Sequence, residues 1–447
     1  MQDHHLPSQC GYSVVATTRQ LIDDNSFQKQ HRLNERCFVR KRRLSFSHVL
    51  LLILQKTIRS LQLHLNDFAR ELGVEHLVSK GAWTQARAKF RHTAFIELNQ
   101  RAVVEVVYGG QSDFEVRRWQ GLRVLAVDSS LLRLPQEPEM GEEFGWVECA
   151  NQSGSTGRYA QARLSALYDV LNRVGIEVRL ENWSIGERRL AVEHFKALQE
   201  GDLTLADQGY ASYEWFARQI QLGHQFVCRC EPNTFESVRQ LFAANLAGRS
   251  LQVTLVPCHS QAKAIKAAGL PEKITIRLVT LRLPNGELEV LATSLLDEGA
   301  YPTESFLPLY EQRWGVETFF GVLKGRLSLE NFSGRTVEAI RQEVHATVFL
   351  SNLEAIITRP AQQRLKEKDP ERKYPAQVNH AVAFHAIKSQ LLDLLTSRKP
   401  VEEVLRQLEL KFLQDPLSVR KRRNPPRKKP SGWVSYRFQR YSRKAVF

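Results

Sequence analysis

The sequence of 447 residues is poor in cysteine and has no long apolar run. Its six cysteines are too thinly spread to suggest a disulfide framework, so we expect reduced thiols; they stand at positions 10, 37, 149, 228, 230 and 258. The longest apolar run, 49–54 (VLLLIL), is far shorter than the ~20 residues that a membrane span needs. The first residues, MQDHHLPSQC, do not resemble a signal peptide. We therefore expect a soluble, cytoplasmic protein without a membrane partner.

Acidic residues are absent from the last part of the sequence. Residues 416–447 contain eleven lysines and arginines and no Asp or Glu, in a chain whose net charge is +15. Four aromatic residues are interleaved with these cations: Trp433, Tyr436, Phe438 and Tyr441. Cations with aromatic side chains favour a flexible arm that neutralises phosphates and stacks on bases. A solubilising tail or a localisation signal is the alternative.

Two common types of functional site have no matching pattern. The sequence has no G-x-x-x-x-G-K-[ST] motif, so it does not predict ATP binding. Cys228 and Cys230, with Cys258 or His259 nearby in sequence, lack a second ligand pair at zinc-finger spacing. These cysteines are interpreted as core or surface thiols.

The chain divides into regions of different texture. Residues 1–120 are basic and helical in pattern, and predict a helical DNA-binding domain, although a solvated helix face would look similar. Residues 121–345 predict an α/β domain with a β-rich insertion at about 231–297, where the PNGE turn separates two alternating strands. Residues 346–415 predict a helical C-terminal region that is a candidate for dimerisation, and 416–447 form the basic tail.

The α/β region predicts the order β-β-β-α-β-α-β. An antiparallel start followed by α/β crossovers indicates a mixed sheet with helices on its faces. The segments are 122–127, 162–171, 175–183, 186–200, 203–206, 212–222 and 224–230.

Two of these strands lead directly to an aspartate. The strand 122–127 ends at Asp128, and the strand 203–206 ends at Asp207. The ends of adjacent strands lie only ~5 Å apart, so the two carboxylates can meet despite their separation in sequence. Taken singly, an aspartate after a strand is more often a turn or a helix cap.

A predicted helix at 304–324 carries four polar residues in the spacing Y-x2-R-x3-E-x6-K. At 100° per residue, Tyr310, Arg313, Glu317 and Lys324 fall within about 60° of arc. One stripe would then present a phenol, a guanidinium, a carboxylate and an ammonium group. The alternative is an Arg313–Glu317 salt bridge on a solvated face.

Together, VDSSLLRLP, LADQGY and Y-x2-R-x3-E-x6-K resemble the DDE transposases of bacterial insertion sequences, specifically the insertion-sequence-four family with its Y-R-E-K signature. The resemblance implies an RNase H-like fold in which Asp128, Asp207 and Glu317 form the acidic triad. It also implies that Tyr310, Arg313 and Lys324 hold the transposon-end DNA.

The triad implied by this resemblance is typical of metal-dependent phosphodiester chemistry. Two Mg²⁺ ions ~3.5 to 4 Å apart can activate the nucleophile and stabilise the leaving oxygen, and carboxylates are the ligands that such ions prefer. Mn²⁺ is an alternative ion. We expect cleavage at the inverted repeats and strand transfer into target DNA by a homodimer that pairs two ends, associated with the bacterial nucleoid. An RNase H-like nuclease or resolvase, and an inactive DNA-binding derivative, are the alternatives.

The sequence departs from the family at one point. Members that cleave through a DNA hairpin use aromatic residues to receive a flipped base, one of them on a strand of the β insertion. The corresponding strand here, 288–294, has no aromatic residue, although Trp314 stands beside Arg313. Extruding a base requires a stacking partner, so this departure leaves the hairpin route open, and Trp314 is counted among the predicted DNA-binding residues.

Overall fold

The computed structural model of the chain describes residues 9–40, 42–57, 59–75, 78–110, 113–150, 156–368, 371 and 373–419. The predicted basic tail, 416–447, lies outside the described residues from position 420 onward. The chain forms two compact units. The first comprises residues 1–115, 133–161 and 322–447, and the second comprises residues 116–132 and 162–321.

Helices occur along the whole described part of the chain. The α-helices are α1 (Gln9–Asp23), α2 (Asn25–Gln30), α3 (Phe46–Leu54), α4 (Leu61–Glu71), α5 (Lys80–Arg87), α6 (Thr93–Glu97), α7 (Glu105–Tyr108), α8 (Pro138–Phe144), α9 (Glu187–Glu193), α10 (Tyr213–Gln221), α11 (Glu236–Ala244), α12 (His259–Ala267), α13 (Phe306–Glu311), α14 (Trp314–Gly321), α15 (Val337–Ile357), α16 (Arg359–Glu367), α17 (His380–Ser389), α18 (Leu391–Leu395) and α19 (Val401–Gln414). Short 3-10 helices cover His194–Ala197, Gln208–Tyr210 and Thr303–Ser305, and π-helices cover Leu98–Val104 and Val322–Arg326.

The strands are concentrated between positions 123 and 293. They are β1 (Arg123–Arg133), β2 (Trp146–Ala150), β3 (Thr156–Asp169), β4 (Val174–Asn182), β5 (Asp202–Ala206), β6 (Gln225–Cys230), β7 (Ser250–Leu255), β8 (Ile274–Arg282) and β9 (Leu288–Thr293), followed by the short β10 (Ala376–Gln377) and β11 (Leu417–Ser418). In the first unit, β2 pairs antiparallel with the first residues of β3, and β10 pairs with β11.

The second unit is built on a mixed sheet. Its strand order is β4-β3-β1-β5-β6-β9-β8-β7. The strand β5 runs parallel to β1 and β6, whereas β9, β8 and β7 continue the sheet in antiparallel fashion. The predicted α/β class and mixed sheet are confirmed, and β1, β3, β4, α9, β5, α10 and β6 follow the predicted order β-β-β-α-β-α-β, with α8 and β2 as additional elements between β1 and β3.

The segment predicted as a β insertion, 231–297, extends this same sheet. Its strand β9 pairs with β6 from Val227↔Thr293 to Cys230↔Val290. The helices α11 and α12 lie between the strands of this segment, so its structure is not purely β. The paired strand β9 therefore places side chains of the segment directly beside the central strands.

Buried aromatic side chains hold α10 to the second unit's sheet. Every residue of β5 is buried, as expected for a parallel strand that has neighbours on both sides. The rings of Phe216 on α10 and Phe226 on β6 stack with centroids 4.7 Å apart. The Ser212 hydroxyl accepts a hydrogen bond from the Trp215 amide and caps α10. The stacked pair anchors α10 near the amino end of β6.

The first unit is mainly helical. Its long helix α15 is buried along most of its length, and its core includes the fully buried rings of Phe46, Phe90 and Phe95. The sequence pattern predicts two long helices, over 45–72 and 79–108. The structure contains several shorter helices in each of these ranges. Within the described residues, no helix has both the length and the apolar character needed to cross a membrane.

Candidate active site

The register of β1 and β5 places the two predicted catalytic aspartates side by side. The parallel pairs run from Arg123↔Asp202 to Ala126↔Leu205. Asp128 and Asp207 lie two residues beyond the last pair on each strand, so the same register sets them opposite each other. Adjacent strands are ~4.8 Å apart, which is close enough for both carboxylates to face one bound group.

A buried ion pair lies at the start of this register. Arg123 Nε and Nη2 donate to the two carboxylate oxygens of Asp202 at 2.7 and 2.6 Å. The side chains are only 3% and 2% exposed, respectively. A bidentate pair between directly opposed residues fixes the alignment of the strands as well as contributing energy. It therefore helps to set the position of Asp128 relative to Asp207.

The prediction that β1 ends at Asp128 is wrong. The strand continues through Asp128 to Arg133, and only its pairing with β5 ends at Ala126. The other neighbour of β1 is β3, a strand of 14 residues, so the backbone of β1 can stay extended after it leaves β5. Asp207, by contrast, directly follows the last residue of β5, as predicted.

The predicted continuous helix 304–324 is also wrong. The structure has α13, a tight turn at Gln312 and Arg313, then α14, and finally the π-helix Val322–Arg326. At the turn the amide of Arg313 donates to the Tyr310 carbonyl, and the amide of Gly315 donates to Gln312. These bonds span three residues instead of four, so the projection at 100° per residue does not hold across this segment.

A glycine allows α14 to approach the end of β3 closely. A Cβ atom added to Gly315 would lie 3.2 Å from both Cβ and Cγ1 of Val170. One turn further along α14, the Phe319 ring stacks on Tyr168 with centroids 4.6 Å apart. This contact anchors the helix that carries Glu317 to the sheet that carries the two aspartates.

Arg313 connects two of the three predicted catalytic carboxylates. Its Nη2 donates to Glu317 Oε1 at 2.9 Å, and its Nη1 lies 4.0 Å from Asp128 Oδ2. The Arg313 side chain is 4% exposed, whereas Glu317 is 40% exposed. The predicted alternative, an Arg313–Glu317 salt bridge, is thus present. Its arginine is buried, however, and the same guanidinium also lies close to the Asp128 carboxylate.

Tyr310 and Trp314 complete the cluster. The Tyr310 hydroxyl donates to the Ala206 carbonyl at 3.3 Å and lies 3.5 Å from Asp207 Oδ1. The Arg313 guanidinium lies over both aromatic rings, 5.9 Å from the Tyr310 centroid and 4.8 Å from the Trp314 centroid. Tyr310 is buried, whereas the side chain of Trp314 is exposed. The exposed indole offers a flat face to a partner.

Lys324 belongs to the other unit. It lies in the π-helix Val322–Arg326, which follows α14 directly in the chain. Burial lowers the pKa of its ammonium group, and the nearby Glu330 opposes that change. The structure thus gathers Asp128, Asp207, Tyr310, Arg313, Trp314 and Glu317 in one unit and places Lys324 just beyond it in sequence.

Burial dominates the electrostatics of Asp128. It raises the pKa of this carboxyl to about 6, although the Ser129 amide and Arg313 favour the ionised form. The negative charges of Glu317 and Glu187 also contribute to the raised pKa of Asp128. For Arg313, burial alone would lower the pKa, but Tyr310, Asp207 and Glu317 outweigh it and keep the guanidinium charged. The site is therefore a concentration of negative charge around one cation.

Two further acids near the site were not predicted from the sequence. Glu187, in the first turn of α9, accepts a hydrogen bond from Arg163 at 2.5 Å, and the same Arg163 nitrogen donates to the Ser129 hydroxyl. Glu289 on β9 is buried and pairs with Arg229 at 3.1 Å. Burial raises the pKa of Glu289, and Asp207 acts in the same direction. The sequence signal that could have identified Glu289 is an acidic residue among the apolar residues of the strand LEVLATS.

The donor chemistry of the cluster fits a hard divalent cation. Carboxylate oxygens are the preferred ligands of Mg²⁺, and the Asp128 carboxyl is close enough to Glu317 and Glu187 for their negative charges to act on it. Among the described residues, however, no three His, Cys, Asp or Glu side chains form a group that could hold a metal ion. In this arrangement the Arg313 guanidinium supplies the positive charge between Asp128 and Glu317.

The chain is similar to known proteins in its sequence and in its fold. The family model described as "Transposase DDE domain" matches residues 119–353, more than half of the chain and the whole of the region that contains the cluster. A search of solved structures matched the piggyBac transposase in a synaptic complex with hairpin DNA, at a TM-score of 0.42 and 11% identity, over 90% of this chain and 80% of that one.

Two curated proteins match at the sequence level. The transposase InsG for insertion sequence element IS4 of Escherichia coli (strain K12) is 24% identical over 240 residues, which are 53% of this chain and 52% of that protein. The putative transposase y4zB of Sinorhizobium fredii (strain NBRC 101917 / NGR234) is 23% identical over 252 residues, 56% of this chain and 65% of that protein. The matched regions thus span about half to two thirds of these relatives. On the family match, the chain belongs to the family of proteins with a transposase DDE domain.

Proposed function

We propose that this protein is a transposase that cleaves DNA at the ends of an insertion sequence and transfers the cut strand into target DNA. The observation that carries the proposal is the in-register placement of Asp128 and Asp207, with Glu317 joined to Asp128 through Arg313. These three carboxylates are the proposed catalytic residues. The two curated relatives are named as transposases, which supports the same activity.

We propose that Asp128, Asp207 and Glu317 also hold the divalent metal. Two Mg²⁺ ions, or Mn²⁺ in their place, would activate the attacking oxygen and stabilise the leaving oxygen of the phosphodiester. The protein's own contribution is placement: the β1–β5 register holds the two aspartates, and the contact of Gly315 with Val170 holds the helix of Glu317.

The remaining cluster residues are proposed to contact DNA. The Arg313 guanidinium is charged and planar, so it can exchange Glu317 for a substrate phosphate and bind it with two parallel hydrogen bonds. The Tyr310 hydroxyl, 3.5 Å from Asp207 Oδ1, is proposed as a further DNA contact beside that carboxylate. The exposed Trp314 ring offers a stacking surface for a base, and Lys324 is a phosphate contact.

The proposed partners follow from this activity. The substrates are the terminal inverted repeats and a target duplex, bound in the cytoplasm at the nucleoid. We propose that two copies of the chain pair two ends, with residues 346–415 as the candidate dimer region, and that residues 1–120 contribute to end binding.

The experiment that tests the proposal is an in vitro reaction with the purified protein, Mg²⁺ and a linear DNA that carries the inverted repeats flanking the gene. Wild-type protein is expected to produce both cut ends and joined products. Asp128→Asn, Asp207→Asn and Glu317→Gln should each abolish cleavage but retain DNA binding. Glu214→Gln, which removes an exposed carboxylate on α10, is the matched control and should leave cleavage unchanged.

Two outcomes would contradict the proposal. Cut ends without any joined product would favour a nuclease or resolvase. Cleavage by the Asp128→Asn variant at the wild-type rate would exclude the cluster as the catalytic site.

A second pair of variants tests the DNA contacts. Arg313→Lys keeps the charge but loses the planar fork, and Lys324→Ala removes a charge. Both should therefore slow end cleavage without lowering the melting temperature.

A further inference from the structure

A basic cleft lies in the first unit, in a part of the chain that the catalytic proposal does not use. Its cavity volume is about 520 Å³. One wall is the loop that precedes α3, and the other is the exposed face of α5. Five cations line it: Arg36, Arg40, Arg42, Arg43 and Lys89. We call this surface the arginine cleft.

The arginine cleft gathers several positive charges on one surface. None of the residues that line it is acidic. Within the described part of the chain, Arg36, Arg40, Arg42 and Lys89 form no ion pair with a carboxylate. Like charges gathered around one cavity repel each other, so an anionic occupant would lower the electrostatic energy of this surface.

The loop wall is held in place by specific contacts. Phe38 has a φ of 54°, a left-handed conformation that is rare for a bulky residue, and its ring packs edge-on against Phe46 with centroids 5.6 Å apart. The Cys37 carbonyl accepts a hydrogen bond from Arg32 at 3.2 Å. The Leu33 amide donates to the Lys89 carbonyl at 2.8 Å and ties the loop to the residues after α5. These contacts anchor the backbone between Leu33 and Phe38, which carries Arg36 and leads into the other cations of the loop.

The helix wall is anchored from behind. Trp83 and Arg87 are buried on the opposite face of α5, and Arg87 donates to Gln342 at 2.8 Å and to Glu343 at 2.9 Å. The cleft-facing positions recur at helical spacing, and two of them are small. These positions are Ala82, Gln85, Ala86 and Lys89. Small side chains on this face leave room for a ligand to approach the helix backbone.

We propose that the arginine cleft binds the sugar-phosphate backbone of duplex DNA. The inference rests on the proposed function, because it assigns a surface for the DNA on which the enzyme acts. Duplex DNA carries one negative charge per about 1.7 Å of helix axis, so it offers a row of phosphates to cations that are spread along a loop and a helix. A free nucleotide carries its phosphates in one compact group, and would leave several of these cations unmatched.

The test is the salt dependence of DNA binding by the full chain. A fluorescent, random-sequence duplex is titrated with wild-type protein, with an Arg40→Ala/Arg42→Ala double variant and with a Lys29→Ala/Arg406→Ala double variant. The last is the matched control, because both residues are exposed, carry the same charge and lie outside the cleft. All four side chains are exposed, so each variant should fold, and circular dichroism melting verifies this.

The cleft variant should bind the duplex more weakly at every salt concentration. Its slope of log affinity against log salt should be shallower by roughly 1.8, or 0.9 for each lost phosphate contact. The control variant should keep the wild-type slope. Equal slopes for the two double variants would overturn the proposal. Binding of ATP that is lost in the cleft variant, with unchanged duplex binding, would assign the cleft to a free nucleotide instead.

This outcome is separable from the catalytic proposal. The Asp128→Asn variant leaves the arginine cleft intact, so it should bind the random-sequence duplex with the wild-type slope. If the transposase assignment fails, that variant and the wild type both lack cleavage products, but the slope difference between the two double variants persists. If only the cleft assignment fails, cleavage persists and the slope difference disappears.

Discussion

Removing one partner of the buried Arg123–Asp202 pair should destabilise the protein and disturb the proposed catalytic cluster. The pair is bidentate and almost fully buried, and Asp202 also accepts a hydrogen bond from the Gln199 amide at 2.8 Å. In Asp202→Asn the Arg123 guanidinium, which is only 3% exposed, would remain buried without its counter-charge. Breaking a buried pair in this way costs about 3 to 5 kcal/mol.

Replacing both partners separates the energetic role of the pair from its role in strand alignment. An Arg123→Met/Asp202→Leu variant removes both charges, and buried pairs replaced by apolar residues are often neutral or stabilising. Stability should then return to within about 1 kcal/mol of the wild type. Cleavage should not fully recover if the pair fixes the register that sets Asp128 opposite Asp207, because a slip of one residue turns side chains to the other face of the sheet.

The assay combines urea unfolding with single-turnover cleavage of an element end in Mg²⁺. We expect low stability for Asp202→Asn, and near-normal stability with reduced cleavage for the double variant. A loss below about 1 kcal/mol in Asp202→Asn would refute the buried-pair argument. Wild-type cleavage by the double variant would show that apolar packing alone fixes the register.

Three further predictions concern other parts of the chain. Burial alone would raise the pKa of Glu343, but Lys56 and Arg87 lower it to about 2. The ionised carboxylate should therefore contribute about 3 kcal/mol to the free energy of unfolding above pH ~4.5, and this contribution should be lost as the pH falls towards 2. Glu343→Gln should remove this loss of stability in acid when unfolding is measured against pH. Gly315→Ala should slow cleavage, because the added Cβ atom would press on Val170. The control Gly321→Ala, where the added Cβ atom meets open space, should raise the melting temperature and keep activity. Equal cleavage rates for the two variants would contradict the packing argument. Deleting residues 416–447 should weaken binding to all DNA and flatten its salt dependence by up to roughly 0.9 per lost contact, and an unchanged slope would show that the tail does not bind DNA.

The central strands could be predicted because a short, mostly apolar run marks each of them and no competing helical pattern overlaps it. The run LRVLAV before Asp128 and the run LTLA before Asp207 are short, mostly apolar and free of helical periodicity, and the structure contains β1 and β5 there. The equal placement of the two aspartates also followed from the sequence, since each directly follows such a run. What the apolar run could not indicate is that β1 continues through SSLLR, because this depends on the neighbouring strand β3.

The helical part of the site was harder to predict. The residues around Arg313 have good helical periodicity, and nothing in that pattern shows that the bonds at Gln312 shift to a three-residue spacing. The break depends on where α14 must lie to pack on Val170, which is a tertiary constraint. For the same reason the sequence did not predict that Arg313 contacts Asp128 as well as Glu317, since residues 128 and 313 meet only in the folded unit.

The guanidinium between Asp128 and Glu317 has a consequence for how the protein can be handled. A site whose acids repel one another would need its metal in order to fold, as small zinc domains do. Here the counter-charge is part of the chain, because Arg313 is held between the two acids and keeps its proton. Removing metal with a chelator should therefore leave the melting temperature almost unchanged, and activity should return when the ion is added back.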